Sequence, residues 1–260
     1  MLRIYLAGQL GIELDGRFLG GGDLPLRQGR LAFAYLACER ERAVTRHELA
    51  QAIWGDDLAA AWDSGLTALI SKLRSAFSRI GLDDRAVLTT TDSGYWMQLR
   101  PGSWVDLEVA RRSLHNAESA AGAGSFNTAY GDAVVAATIL RRPFLEGSDE
   151  PWVHSRRRIL HAQRVRALDC LVDVLAWNDE PALALTHASE AIELEPYRER
   201  GYQRLMRLHS QLGDRAQALR VFERCRTLLS EELDVDPSPE TMSVHRELLS
   251  STSISIPKPR

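Results

Sequence analysis

The side chains best placed for chemistry lie in one stretch, residues 60–80. Leu66, Leu69, Ile70, Leu73 and Phe77 recur at the i, i+3, i+4, i+7 spacing of a helix with one buried stripe. At about 100° per residue, the opposite face carries Ser64, Ala68, Ser71 and Ser75. Lys72 and Arg79 flank it on one side; Thr67, Arg74 and Ser78 flank it on the other. Small groups of this kind can reach base edges or thymine methyls in a major groove, while cations at the margins meet phosphates. The same residues also fit an ordinary solvated helix face, and spacing alone leaves both readings open. Arg27, Arg30 and Arg46, on the preceding segments, are either phosphate contacts or plain exposed cations.

Other chemistries find no pattern. Cys38, Cys170 and Cys225 form no C-x-x-C pair, so neither a zinc site nor a disulfide framework is indicated. Each sits among apolar residues at helical spacing, as buried, reduced thiols do in a cytosolic protein. His154 and His161 share a helix face, but at i, i+7 they lie roughly 10 Å apart by helical rise, too far for one ion. Gly20-Gly21-Gly22 lacks the G-x-x-x-x-G-K-[ST] phosphate-loop pattern and reads as a flexible turn. No G-x-S-x-G, H-E-x-x-H or Walker pattern occurs. The expectation is a non-enzyme without metal or cofactor. Arg156-Arg157-Arg158, with Arg164 and Arg166, makes a basic helix: an anion-binding surface or, more plainly, a solvated face paired with nearby acids.

Charge limits any nucleic-acid reading. The chain has 32 Lys/Arg against 35 Asp/Glu, net −3, and residues 1–105 hold twelve of each. Affinity for DNA would have to come from local placement of cations. No apolar run approaches membrane-spanning length. Met1-Leu2-Arg3-Ile4-Tyr5 runs into a strand-like pattern without the apolar region of a signal peptide. The expected location is the cytoplasm, with no membrane partner.

The elements that must position the 60–80 helix are legible. Residues 2–26 alternate as strands, with Asp15-Gly16 as a hairpin turn pair. Leu31, Ala34, Tyr35 and Cys38 share a helical face. Thr45-Arg46-His47-Glu48 is a capping box: the Thr45 hydroxyl accepts from the Glu48 amide and Glu48 reaches back, with Val44 and Leu49 as a hydrophobic staple. A helix therefore starts at Arg46 and ends at Trp54-Gly55, Gly serving as the left-handed cap. Trp54 and Trp62 read as core residues. Gly81 caps the 60–80 helix, and residues 87–99 form a hairpin tipped by Asp92-Ser93-Gly94. Strands, three helices and a closing hairpin make a winged helix-turn-helix (α+β, response-regulator type) over residues 1–105.

From Asp106 the pattern is all helical, with no strand pattern after Leu99. Helices are expected near 106–120, 125–142, 151–177, 180–194, 197–212, 214–233 and 238–250. Ala184, Leu185, Ala188, Ala191 and Leu194 match Ala218, Leu219, Phe222, Cys225 and Leu228 at a period of 34, the period of tetratricopeptide-type helix pairs. The fold class is mainly α: a winged helix, then an all-α tetratricopeptide-like domain over 106–250, then a flexible polar tail over 251–260.

Several strings, in order, resemble the Streptomyces antibiotic regulatory protein family. Val44-Thr45-Arg46-His47-Glu48-Leu49 followed by Ile53-Trp54-Gly55 resembles its helix 2 signature. Leu69-Ile70-Ser71-Lys72-Leu73-Arg74, the hairpin ending Gly94-Tyr95, and Val105-Asp106-Leu107 follow in family order. Asp149-Glu150-Pro151-Trp152 and Glu231-Glu232-Leu233-Asp234-Val235-Asp236-Pro237 resemble two signatures of the bacterial transcriptional activator domain. The resemblance covers about residues 2–250. It implies a winged helix binding direct repeats in double-stranded DNA, a helical activation domain and recruitment of RNA polymerase; the mechanism expected from it has two or more protomers on successive half-sites, self-associating on DNA. It favours DNA contact over a plain solvated face for the outward side of the 60–80 helix; the candidate contacts are Ser64, Thr67, Ala68, Ser71, Lys72, Arg74, Ser75 and Arg79, with Arg27, Arg46 and the wing-tip Thr91. Here the helix opens on Trp62-Asp63-Ser64-Gly65, and the wing carries Thr91, Asp92 and Trp96 where the family usually places basic groups. A net-neutral winged helix with an acidic wing tip also fits a second reading, a protein-interaction scaffold that binds DNA weakly.

Overall fold

The computed structural model describes residues 1–250; the tail expected over 251–260 lies outside them. The described residues form two compact units. One comprises Met1–Val109 with Ile139–Leu160; the other comprises Ala110–Thr138 and the described residues from 161 onward.

The first unit opens with the antiparallel strands β1 (Leu2–Tyr5), β2 (Gly11–Leu14) and β3 (Arg17–Gly20). Asp15 and Gly16 both take positive φ, 49° and 85°, as a two-residue hairpin turn with native twist requires. Then come α1 (Leu26–Cys38), β4 (Val44–Thr45), α2 (Arg46–Trp54), α3 (Trp62–Arg79), the short α4 (Asp84–Val87), β5 (Leu88–Thr90), β6 (Gly94–Met97) and β7 (Trp104–Val105). Two sheets result, in the orders β3-β2-β1-β7 and β4-β6-β5. The second is the wing. Phe33 of α1 meets Phe77 of α3 edge-on at 5.9 Å in the core, and Trp54 and Trp62 pack against its rim.

Two elements depart from expectation. The sequence pattern has no strand after Leu99, yet β7 pairs parallel with β1. Two residues are too few to show alternation, and only the distant partner identifies them. The next residue explains why the chain is held there. Asp106, first residue of α5 (Asp106–Gly122), is fully buried. Its carboxylate accepts from the backbone N–H groups of Leu6 (2.9 Å), Ala7 (2.9 Å) and Leu107 (2.7 Å). Burial pushes its pKa up, opposed by those three N–H groups.

The second departure concerns residues 139–160, which the sequence reading puts in the second domain and which cluster with the first unit. They contain the end of α6 (Phe126–Leu140) and the start of α7 (Pro151–Trp177). Trp152 is the anchor. Its indole N–H donates to the Ala52 carbonyl at 2.9 Å, and its ring stands edge-on to Tyr35, centroids 5.0 Å apart.

The second unit is helical. Its later part is α8 (Pro181–Leu194), α9 (Glu199–Gln211), α10 (Arg215–Leu233) and α11 (Pro239–Ser250). The 34-residue similarity is realised as equivalent burial. Ala184, Ala188 and Ala191 of α8, and Ala218, Phe222 and Cys225 of α10, are all buried. Small residues there let each helix close on α9, as paired-helix repeats do.

The basic segment behaves as a paired face. Arg156 binds Glu39, and Arg157 donates to the carbonyls of Phe144 and Leu145. In the second unit Arg164 pairs with Glu190 and Arg166 with Glu118. The three cysteines are free thiols, and burial pushes Cys38 and Cys225 up to about 12 and Cys170 up to about 11. Among the described residues no helix is long and apolar enough to cross a membrane.

Candidate nucleic-acid interface

The exposed helix face is positioned from α2 upward. Thr45 is extended and its hydroxyl accepts from the Glu48 amide at 3.2 Å, half of the expected capping box. The return bond does not form. The Glu48 carboxylate is taken instead by the Tyr35 hydroxyl (2.7 Å) and by Arg42 (2.9 Å), because a guanidinium outcompetes a backbone amide for a charged acceptor. Hydrogen bonding from Arg42 holds Glu48 below the usual carboxylate range, against the opposing effect of burial. Gly55, at φ 83°, ends α2 as expected.

On α3 the predicted stripe is inside: Leu66, Leu69, Ile70, Leu73 and Phe77 are buried. Opposite them Ser64, Thr67, Ala68, Ser71, Lys72, Ser75 and Ser78 are exposed. Ser64, Thr67 and Ser75 donate their hydroxyl protons to carbonyls one turn back, at 2.9, 3.0 and 3.0 Å. That fixes their rotamers and leaves the Ser64 and Ser75 oxygens able to accept.

The arginines on this surface are mostly occupied within the protein, in contrast to the free cations expected. Arg46 donates to the Asp63 carboxylate (2.7 Å), the Asp63 carbonyl (3.1 Å), the Thr67 hydroxyl (2.8 Å) and the Tyr95 hydroxyl (2.5 Å). It thereby ties the first residue of α2 to the first turn of α3 and to the wing. Arg74, half-buried, donates to the Leu88 carbonyl at 2.6 Å and the Thr90 hydroxyl at 2.8 Å, holding α3 to β5. Arg79 donates to the Asp23 carbonyl at 2.8 Å. Arg27 pairs at 2.6 Å with Glu150, whose side chain is nine-tenths buried. Among the described residues Lys72 has no hydrogen bond or ion pair. Arg30 of α1 is likewise exposed without such a partner, and so is Arg85 of α4, which the sequence pattern did not single out. Its signal was the Asp83 cap, which accepts from the Ala86 amide at 3.2 Å and starts α4.

The wing is built to a tight tolerance. A Cβ on Gly94 would fall 1.9 Å from the Val44 carbonyl oxygen and 2.8 Å from Thr45 Cα, so β6 can pair with β4 only as glycine. The Thr91 hydroxyl accepts from the Gly94 amide at 3.1 Å and closes the wing turn. Trp96 points its indole N–H to the Arg40 carbonyl at 2.8 Å, so this departure from the family pattern braces the wing. The structure thus brings Ser64, Thr67, Ala68, Ser71, Lys72 and Ser75 into one exposed strip. Arg46 ties its first turn to α2 and to the wing, Arg74 ties it to β5, and Arg27 stands with Glu150 elsewhere in the unit.

The wing of β4, β5 and β6, the exposed α3 braced against it, and the helical repeats that follow place the chain in the winged-helix class. Residues 27–97 match the family described as "Transcriptional regulatory protein, C terminal", and residues 105–249 match "Bacterial transcriptional activator domain". The chain belongs to the bacterial transcriptional activator domain family, in the arrangement of the Streptomyces antibiotic regulatory proteins. It is 28% identical to the regulatory protein AfsR of Streptomyces coelicolor over 255 residues, covering 95% of this chain and 24% of AfsR. It is 26% identical to the transcriptional regulatory protein EmbR of Mycobacterium tuberculosis over 252 residues, covering 94% of this chain and 62% of EmbR. The chain therefore spans about a quarter of the one relative and under two thirds of the other. A solved structure of Mycobacterium tuberculosis EmbR in complex with a low affinity phosphopeptide has the same fold, with a TM-score of 0.87 at 23% identity, covering 98% of this chain and 66% of that one.

Proposed function

We propose that this protein binds double-stranded DNA at direct-repeat promoter sites in the cytoplasm and activates transcription by recruiting RNA polymerase. One observation carries the reading: the exposed strip of small side chains on α3, with Lys72 at its edge and a buried stripe behind it. In the major groove Ser64, Thr67, Ala68, Ser71 and Ser75 meet base edges and methyls, and Lys72 and Arg79 meet phosphates. Arg46 and Arg74 position the helix against the wing, and Thr91 shapes the wing tip. Arg27, committed to Glu150, is left out. We assign DNA contact to residues 1–105, and contact with polymerase and with further protomers on DNA to residues 106–250. The protein acts by binding and not by catalysis.

A mobility shift with DNA from upstream of the protein's own gene, at two salt concentrations, tests this. The expected result is a retarded complex that weakens as salt rises. A second reading, an interaction scaffold with weak DNA affinity, draws on the net-neutral residues 1–105 and on the internal commitment of Arg46, Arg74 and Arg79. It expects no complex at either salt concentration.

A further inference from the structure

The second unit contains a cleft of about 660 Å³, inside the ~300–1,000 Å³ range of small-molecule sites. Part of the lining is apolar. Phe126 and Trp177 stack with centroids 5.3 Å apart and planes at 21°, and Ala121 and Ala176 extend the surface. Another part is charged. Arg204 and Asp169 both line the cleft with side chains only 10% exposed. Arg204 donates twice to Asp173, at 2.8 Å each, and Arg198 pairs with Asp169. Arg204 Nη1 stands 3.2 Å from Asp169 Oδ1, yet neither atom makes a hydrogen bond.

Such a network adds little to stability that apolar packing would not give. The unit otherwise packs mainly on alanine, leucine and valine, with Cys170, Cys225, Ile192 and Tyr202 among them, and a buried ion cluster seldom outperforms apolar side chains of similar volume. Its place beside an aromatic wall points to recognition. At the cleft, Arg166 is held by Glu118, while Arg200 is exposed and has no hydrogen bond or ion pair with any described residue. Arg166, Arg198, Arg200 and Arg204 stand against Glu118, Asp169 and Asp173, which leaves one positive charge over. That balance suits a single carboxylate. A nucleoside triphosphate would bring several negative charges to a cleft that already holds three.

We propose that this cleft binds an aromatic monocarboxylate, its ring against the Phe126–Trp177 wall and its carboxylate on Arg200. The acid can come from a free small molecule or from an aromatic residue at a peptide C-terminus. Calorimetric titration of the full chain with 1-naphthoate tests the site. Saturable one-site binding is expected, with the neutral 1-naphthamide about tenfold weaker, the factor for losing one charge-assisted bond. Arg200→Ala should weaken naphthoate by about the same factor and leave the amide unchanged. Its melting temperature should not move, because Arg200 holds nothing in place. Trp177→Leu should weaken both probes. Ac-Gly-Gly-Phe with a free C-terminus binding more tightly than naphthoate would identify the peptide source; weaker binding would identify the free acid. Absence of saturable naphthoate binding, equal binding of acid and amide, or an Arg200→Ala chain that binds naphthoate as the native one does would each overturn the proposal.

Discussion

The two units hold together in different ways. In the first, decisive contacts join residues 100 positions apart: the Asp106 carboxylate with the Leu6 amide, and the Trp152 indole with the Ala52 carbonyl. In the second, α8 and α10 repeat one burial pattern, and each packs on the neighbouring α9. The first is therefore one cooperative piece that ignores linear boundaries. The second approximates a sum of neighbouring helix-pair terms.

The largest expected effect comes from cutting the chain at the linear boundary. A fragment of residues 1–105 keeps β7 but loses Asp106, Phe144 and Trp152. The Leu6 and Ala7 amides lose their carboxylate acceptor, and Tyr35 and Ala52 lose their cover. Together this amounts to roughly 5 kcal/mol, enough to unfold a marginal domain. Circular dichroism of that fragment should show no cooperative melt, and Trp152→Ala in the full chain should cost about 3 kcal/mol. A fragment of 106–250 contains the whole second unit and should melt cooperatively with strong helical signal. A well-folded 1–105 fragment would break the comparison.

The repeat side is sharpened by Ala218→Leu. Ala218 is fully buried, and three extra carbons there force α10 away from its neighbours at a cost of about 1–3 kcal/mol. Calorimetry should show a lowered transition for the second unit and an unmoved one for the first. Movement of both would mean that the units melt as one.

This contrast also explains what could be read from the sequence. The Thr45 cap, the α3 stripe, the Asp15-Gly16 turn and the 34-residue period are local, set by residues within a turn or a repeat of one another, and each appears where expected. β7, the burial of Asp106 and the anchoring by Trp152 depend on partners far along the chain, which no periodicity reveals. The candidate site divides the same way. Which α3 residues face outward follows from 100° per residue. That Arg46 and Arg74 are occupied depends on Asp63 and Thr67 of α3 and on Tyr95, Leu88 and Thr90 of the wing, brought close only by the fold.

A smaller effect tests the seam between α1 and α2 by pH. Hydrogen bonds from Arg42 and Tyr35 lower the Glu48 pKa from its ordinary value of 4.5. A depressed folded value means that Glu48 stabilises the fold above about pH 4.5 and loses that contribution as pH falls through the folded pKa. Glu48→Gln should therefore lower the first unit's transition at pH 7, and the gap from the native chain should close on acidification toward pH 3. Carboxylates common to both chains drop out of that difference. A gap that persists unchanged at pH 3 would show that Glu48 acts through shape and not charge.

The smallest expected effect separates the one free cation of the α3 strip from its bound neighbours. Each phosphate contact releases about one counterion, so losing one lowers the slope of log affinity against log salt by about one. Lys72 has no partner among the described residues; Lys72→Ala should lower that slope by about one, leave the melting temperature unchanged, and be rescued by Lys72→Arg. Arg74 grips the Leu88 carbonyl and the Thr90 hydroxyl. Arg74→Ala should weaken binding through a displaced wing, lower the melting temperature, and leave the salt slope as it was, and Arg46→Ala should behave alike. The pair of slopes matters more than either affinity, since both variants weaken binding. If Arg74→Ala lowers the slope and Lys72→Ala does not, the arginine leaves the wing to meet DNA and the geometry of the free protein is not that of the complex.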